Sequence, residues 1–230
     1  MKPFIAPFVL CASLLSGVVT FGQSAPTMNE EPHHKRLTYI RNMRVFEITV
    51  PPGDMTQNHL HDHDLVTIAL TEPTTRTQRQ GEDWTMPATR KLAEAQFGTV
   101  TGMPYVHRLE NVGTTPYHVF AIENLRDGKW TTPPAITAPG TTLREESRAF
   151  AVYDIRLNAG TRETSHTHQN PTFIFLMSGK VSAQGGGGEF AFPLELTGTR
   201  WFPGSGADQP HMIELADGTS DAHVICVEAK

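Results

Sequence analysis

Beyond about residue 40 the chain is built from short runs in which apolar and polar positions alternate. Val45-Phe46-Glu47-Ile48-Thr49-Val50 is one, stopped by Pro51-Pro52-Gly53, and Val66–Thr71 and Val152–Leu157 are others, while His118–Glu123, Phe173–Ser178 and His223–Glu228 are equally short but more continuously apolar. Their residues are β-branched, aromatic or aliphatic, and Gly, Pro and Asn punctuate them, so each run predicts a strand. Only Arg90-Lys91-Leu92-Ala93-Glu94-Ala95 reads as helical, and it is brief. The tract Gly185-Gly186-Gly187-Gly188 between strand-like runs reads as a hairpin tip. So many short antiparallel strands point to an all-β sandwich or barrel.

The pattern repeats. Val45 to Gly53 matches Val152 to Gly160 at an offset of 107, which also carries His59-Leu60-His61 onto His166-Thr167-His168. The offset becomes 104 where His107 meets His211, and 105 where His118–Glu123 meets His223–Glu228. Small drifts of this kind are what loop-length changes leave behind, and four matches in order read as an internal duplication. The expected organisation is a leader over 1–25, an extension over 26–40, a first barrel over 41–126, a Pro-rich linker over 127–146 and a second barrel over 147–230. Thr131-Thr132-Pro133-Pro134 and Pro139-Gly140 mark the linker.

The leader reading rests on Met1-Lys2, an apolar run from Phe4 to Phe21, and small residues at Gly22, Ser24 and Ala25. A short basic start, an apolar core and a small-residue exit describe a secretory signal peptide, so a periplasmic or secreted protein is expected, with no membrane contact after cleavage. A net charge of −5 without a basic stripe argues against nucleic acid as a partner. Past the leader only Cys226 remains, too few for an internal disulfide, so core burial or metal must hold the fold.

Eleven histidines carry the candidate chemistry. Residues i and i+2 of a strand share a face, so His59 with His61, and His166 with His168, can converge on one ion. His107 and His211 recur where each could supply a third imidazole. His63 shares the face of His59 and His61, Asp64 is one residue out of phase, and His33 and His34 read as solvated surface. Isolated histidines commonly pack or hydrogen-bond without metal; two same-face pairs, each with a third histidine in register, point to metal.

These motifs resemble the cupin superfamily. Gly53-x5-His59-x-His61 and Gly160-x5-His166-x-His168 are similar to its first motif. Gly102 through His107 to Asn111 is similar to its second, and Pro203-Gly204 through His211 to the second motif of another copy, with Leu215 where the asparagine would stand. The resemblance implies two tandem cupin barrels, double-stranded β-helices of jelly-roll type, with a metal at each mouth. It also implies a glutamate ligand after each His-x-His pair, but those positions hold Leu65 and Thr172. The sites are therefore expected to be glutamate-free: His59, His61 and His107, and His166, His168 and His211.

Three neutral imidazoles suit one divalent transition metal per barrel, Fe(II) first, with Zn, Cu, Ni or Mn as others, over Mg or Ca. The leading expectation is a non-haem Fe(II) dioxygenase for a small anionic or phenolic molecule, working as a monomer or homodimer. The alternatives are a non-catalytic barrel that binds a sugar or other small ligand, and a zinc lyase or isomerase. Tyr105, two residues before His107, could donate a proton into the mouth. His118 and His223, expected on the inward face of the last strand of each half, could assist as acid–base or ligand-orienting groups. Glu123 and Glu228, on the opposite parity, are expected to face outward.

Overall fold

The computed structural model describes residues 24–100, 102–126, 136–161, 165–168, 170–185, 192–194, 199–202 and 210–230. The expected leader up to residue 23, the glycines 186–188 and Pro203-Gly204 lie outside them. Among the described residues every regular element is a strand, and no helix is long and apolar enough to cross a membrane.

The first half forms two facing antiparallel sheets. One has the order β1 (His34–Ile40), β2 (Met43–Val50), β9 (Tyr117–Asn124), β4 (Asp64–Ala69), β7 (Ala95–Gly98). The other runs β3 (His59–His61), β8 (Tyr105–Asn111), β5 (Thr74–Arg79), β6 (Ala88–Thr89). The second half has a sheet ordered β10 (Thr141–Glu146), β11 (Phe150–Asn158), β17 (Asp221–Ala229), β12 (Thr172–Ser178), β15 (Thr199–Phe202). Its companion is β14 (Phe192–Leu194), β13 (Val181–Gly185), β16 (His211–Leu215). The outer hairpins of the two halves even carry their bulges at corresponding places, between Arg36 and Thr38 and between Leu143 and Glu145. Gly53 and Gly160 both turn at positive φ, 78° and 85°, a conformation that favours glycine and explains why both first motifs open on one. β1 and β10 fall in segments expected to be extension and linker; each instead adds a strand to the edge of a large sheet.

Burial explains how the halves meet. Phe46, Ile48, Val119 and Ala121 fill the first barrel, and Tyr153, Ile155, Ile174, Val224 and Cys226 fill the second. The alternate residues of the same strands, among them Val45, Phe120, Ile122, Val152, Phe175 and Val227, form one further core that both large sheets share. Phe120 stacks on Phe175 there, with ring centroids 4.7 Å apart. At the edge of this interface Arg148 grips the buried Asp64 carboxylate with Nε at 2.6 Å and Nη2 at 2.9 Å, and Arg144 donates to the Ala93 carbonyl at 2.7 Å.

The expected helix at 90–95 is a turn. Arg90 is buried, and its guanidinium donates to Thr67 Oγ1, the Thr67 carbonyl and the Glu94 carbonyl. Those bonds take the chain round a corner through Ala93, at φ 62°, into β7.

Candidate metal centre

Antiparallel pairing sets His59 opposite His107 across β3 and β8, with His61 two residues on from His59 and on the same face. The three Nε2 atoms converge: His61 Nε2 lies 3.0 Å from that of His59 and 2.9 Å from that of His107. The second half reproduces this with a bridge between His166 and His211, held by two backbone hydrogen bonds of 2.9 and 2.8 Å. There His168 Nε2 lies 3.3 Å from His166 Nε2 and 3.2 Å from His211 Nε2.

The donors fit a single transition-metal ion. His59 Nδ1 donates to the Gln57 carbonyl at 2.9 Å, which fixes the tautomer and leaves the Nε2 lone pair aimed at the cluster. Burial, reinforced by the neighbouring imidazoles, lowers the pKa of His107 to about 3 and of His211 to about 2. Burial also lowers those of His59, His61 and His168. All five are thus neutral at pH 7 and could serve as ligands. Imidazole nitrogens at about 2.1 Å from one ion and at right angles to each other would stand about 3.0 Å apart, and at tetrahedral angles about 3.4 Å. The distances from His61 and His168 to their partners, 2.9 to 3.3 Å, lie in or at the edge of that range.

The first triad opens into a cavity of about 210 Å³. Met28, Ile48, Leu65, Phe97 and Leu109 give it apolar walls, and Arg79 brings a cation to it. Arg79 pairs in register with His107, and its guanidinium lies 4.5 Å above the Tyr105 ring. Tyr105 in turn stacks on His61 at 5.3 Å and meets His107 edge-on at 5.4 Å, so it stands beside the triad. Burial raises the pKa of its hydroxyl, which therefore keeps its proton at neutral pH. In the second half the register partner of His211 is Gly185, so no side chain corresponds to Arg79.

Other expected residues lie elsewhere. His118 and His223 do share the parity of Phe120 and Ile225, but that face looks toward the other half and not into the barrel. His118 Nε2 lies 2.9 Å from Glu47 Oε1 and His223 pairs with Asp154, two matching histidine–carboxylate contacts that belong to neither triad. Glu123 and Glu228, expected outside, are buried inside. They sit across the ladder from Leu65 and Thr172, the positions that lack the expected glutamate. His63 joins Asp62 and Glu123 in a separate cluster and not the first triad. Asn111 is a buried brace, donating to the Val50 and Thr115 carbonyls. His34, expected on the surface, is buried, donates Nδ1 to the Met28 carbonyl at 2.9 Å and meets the His59 ring edge-on at 4.8 Å.

Arg79 is the residue that sequence reasoning missed; the available signal was its place at the end of a strand. Met28 and His34 gave none, because the segment before residue 40 carries little alternation.

No family model matches the chain, and no curated protein matches it in sequence. Solved structures do. AerE from Microcystis aeruginosa is similar with a TM-score of 0.58 at 10% identity, over 87% of this chain and 98% of that one. A cupin 2 conserved barrel domain protein from Leptotrichia buccalis is similar with a TM-score of 0.56 at 9% identity, over 86% and 88%. The fold is that of the cupins. A third structure with this cupin fold, a salicylate 1,2-dioxygenase from Pseudaminobacter salicylatoxidans, is similar with a TM-score of 0.58 at 11% identity, over 81% of this chain and 70% of that one. At such identities the likeness speaks for the cupin fold, and the triads rest on their own geometry.

Proposed function

We propose that this protein is a metal-dependent enzyme of the cupin fold whose reactive centre is the first triad, and that it dioxygenates a small aromatic or apolar carboxylate with Fe(II). The observation that carries this reading is one cavity that combines three neutral imidazoles, an arginine and apolar walls. An Fe(II) ion held by His59, His61 and His107 would supply the redox chemistry. Arg79 binds the substrate carboxylate by charge-assisted hydrogen bonds and sets its orientation. Ile48, Leu65, Phe97 and Leu109 exclude water and favour an aromatic or aliphatic body. Tyr105 holds a proton at its hydroxyl beside the same cavity, available to a developing anion. The name of the salicylate dioxygenase is in keeping with a substrate that carries both a carboxylate and a phenol.

Two further readings belong to the proposal. The halves descend from one duplicated barrel, which the shared strand order, matching bulges and matching histidine registers support. The protein is exported, on the evidence of the apolar run from Phe4 to Phe21.

The test is oxygen uptake by the untagged chain, loaded anaerobically with Fe(II) and offered a panel of aromatic and aliphatic carboxylic acids beside neutral analogues. The proposal expects uptake with carboxylic acids, lost in His107→Ala. A chain that holds iron yet consumes no oxygen with any of them, while binding neutral sugars, would move the reading to a ligand-binding barrel. Tight zinc with turnover but without oxygen uptake would move it to a lyase or isomerase.

A further inference from the structure

Glu228 on β17 faces Ala151 of β11 on one side and Thr172 of β12 on the other. Residues directly opposite in an antiparallel ladder share a face, so this carboxyl group points into the second barrel. Its counterpart Glu123 faces Arg44 and Leu65, and Arg44 Nη1 donates to Glu123 Oε2 at 3.0 Å. The first half thus neutralises its buried carboxylate with an arginine, and the second half has an alanine in that place.

Glu228 is 1% exposed and has no cationic side chain as partner among the described residues. His168 Nδ1 donates to its Oε2 at 3.4 Å, while Oε1 meets no donor. A carboxylate so buried is costly unless positive charge stands nearby. The His168 ring leads from that carboxylate to Nε2, which lies among the nitrogens of the second triad. The matching ring in the first half is His61, whose Nδ1 is buried with no partner.

We propose that Glu228 is a positioning residue for a divalent metal ion at His166, His168 and His211. Through Nδ1 it fixes the tautomer and orientation of His168 and makes Nε2 more electron-rich. It also places an anion behind the ligand, so the ion and the buried carboxylate compensate each other. The two triads are then tuned apart: the second holds its ion more tightly, and the first, without such backing and with Arg79 on its wall, keeps a more electrophilic ion facing substrate. This rests on the reading that the second triad binds metal.

The test is competition for Zn(II) between a chromophoric chelator and the full-length chain in a His107→Ala background, which isolates the second triad. Adding Glu228→Gln should weaken binding about 10- to 100-fold and change the visible spectrum of the Co(II) form. The metal-free Glu228→Gln chain should melt no lower than its parent, because the substitution removes an uncompensated buried charge. The His211→Ala chain, which keeps only the first triad, should bind Zn(II) at least about tenfold more weakly than His107→Ala. An unchanged dissociation constant and Co(II) spectrum in Glu228→Gln would overturn the proposal. So would a lower metal-free melting point combined with an unchanged metal-induced rise, the signature of a merely structural role. If His107→Ala alone binds no Zn(II), the second triad is not a metal site and the proposal falls with that reading, an outcome distinct from the other two.

Discussion

Lowering the pH of the metal-free chain from 7 to 5 should strip away much of its stability, well above the range in which ordinary carboxylates titrate. Burial is the leading cause that lowers His34 to about 4, His107 to about 3 and His211 to about 2, and in each case a neighbouring imidazole adds to it. In the unfolded chain each takes up a proton as the pH falls through about 6.5, whereas in the folded chain none does until far lower. The unfolded state then binds more protons, so stability is fully present above pH 6.5 and falls as the pH drops. One such group lowers stability by about 2 kcal/mol between pH 7 and 5, and three by on the order of 5 kcal/mol. That is comparable to the whole stability of many domains. Two groups oppose the trend. At His33 the carboxylates of Glu31 and Asp54 outweigh burial and raise the pKa, and burial raises that of Glu123. The assay is urea unfolding of the chelator-treated chain at pH 7, 6 and 5. His211→Ala should recover about 2 kcal/mol of the loss. Unfolding free energies that agree within about 1 kcal/mol across that range would refute the view that the triads are neutral and desolvated.

Arg79→Gln should raise KM for carboxylate substrates about 10- to 100-fold, the worth of a charge-assisted hydrogen bond, and leave neutral analogues untouched; steady-state kinetics on both classes checks it. Phe175→Ala removes a fully buried ring from the core shared by the halves and should cost about 3–5 kcal/mol in chemical denaturation. Arg148→Ala should loosen the same interface at Asp64, seen in calorimetry as two unfolding transitions in place of one. Added Zn(II) should raise the melting point of the wild-type chain as its concentration increases, and a chelator should reverse the rise.

Most of the strands and the convergence of each histidine set were legible, because periodicity and an offset that drifts only between 104 and 107 residues place the histidines in matching positions. The inward and outward faces were not. Alternation tells core from solvent only where one face is wet, and here β4 is buried at every position and β9 at all but one. One face of these strands packs into its own barrel and the other against the second sheet. His118 and His223 therefore looked inward beside Phe120 and Ile225, and Glu123 and Glu228 looked outward, when the reverse holds. The false helix at 90–95 has a similar origin: Leu, Ala and Glu favour a helix locally, but burying the Arg90 guanidinium against backbone carbonyls outweighs that preference. Arg79 escaped notice because a strand-end arginine is ordinary until pairing sets it opposite His107.

If the function is as proposed, each triad holds one divalent ion. Elemental analysis of the untagged chain, purified without chelator and checked for folding by circular dichroism, tests it most directly. The wild-type chain should carry about two transition-metal ions, falling to about one in His107→Ala and about one in His211→Ala. Less than about 0.2 ion per wild-type chain after incubation with Fe(II) or Zn(II) would contradict it.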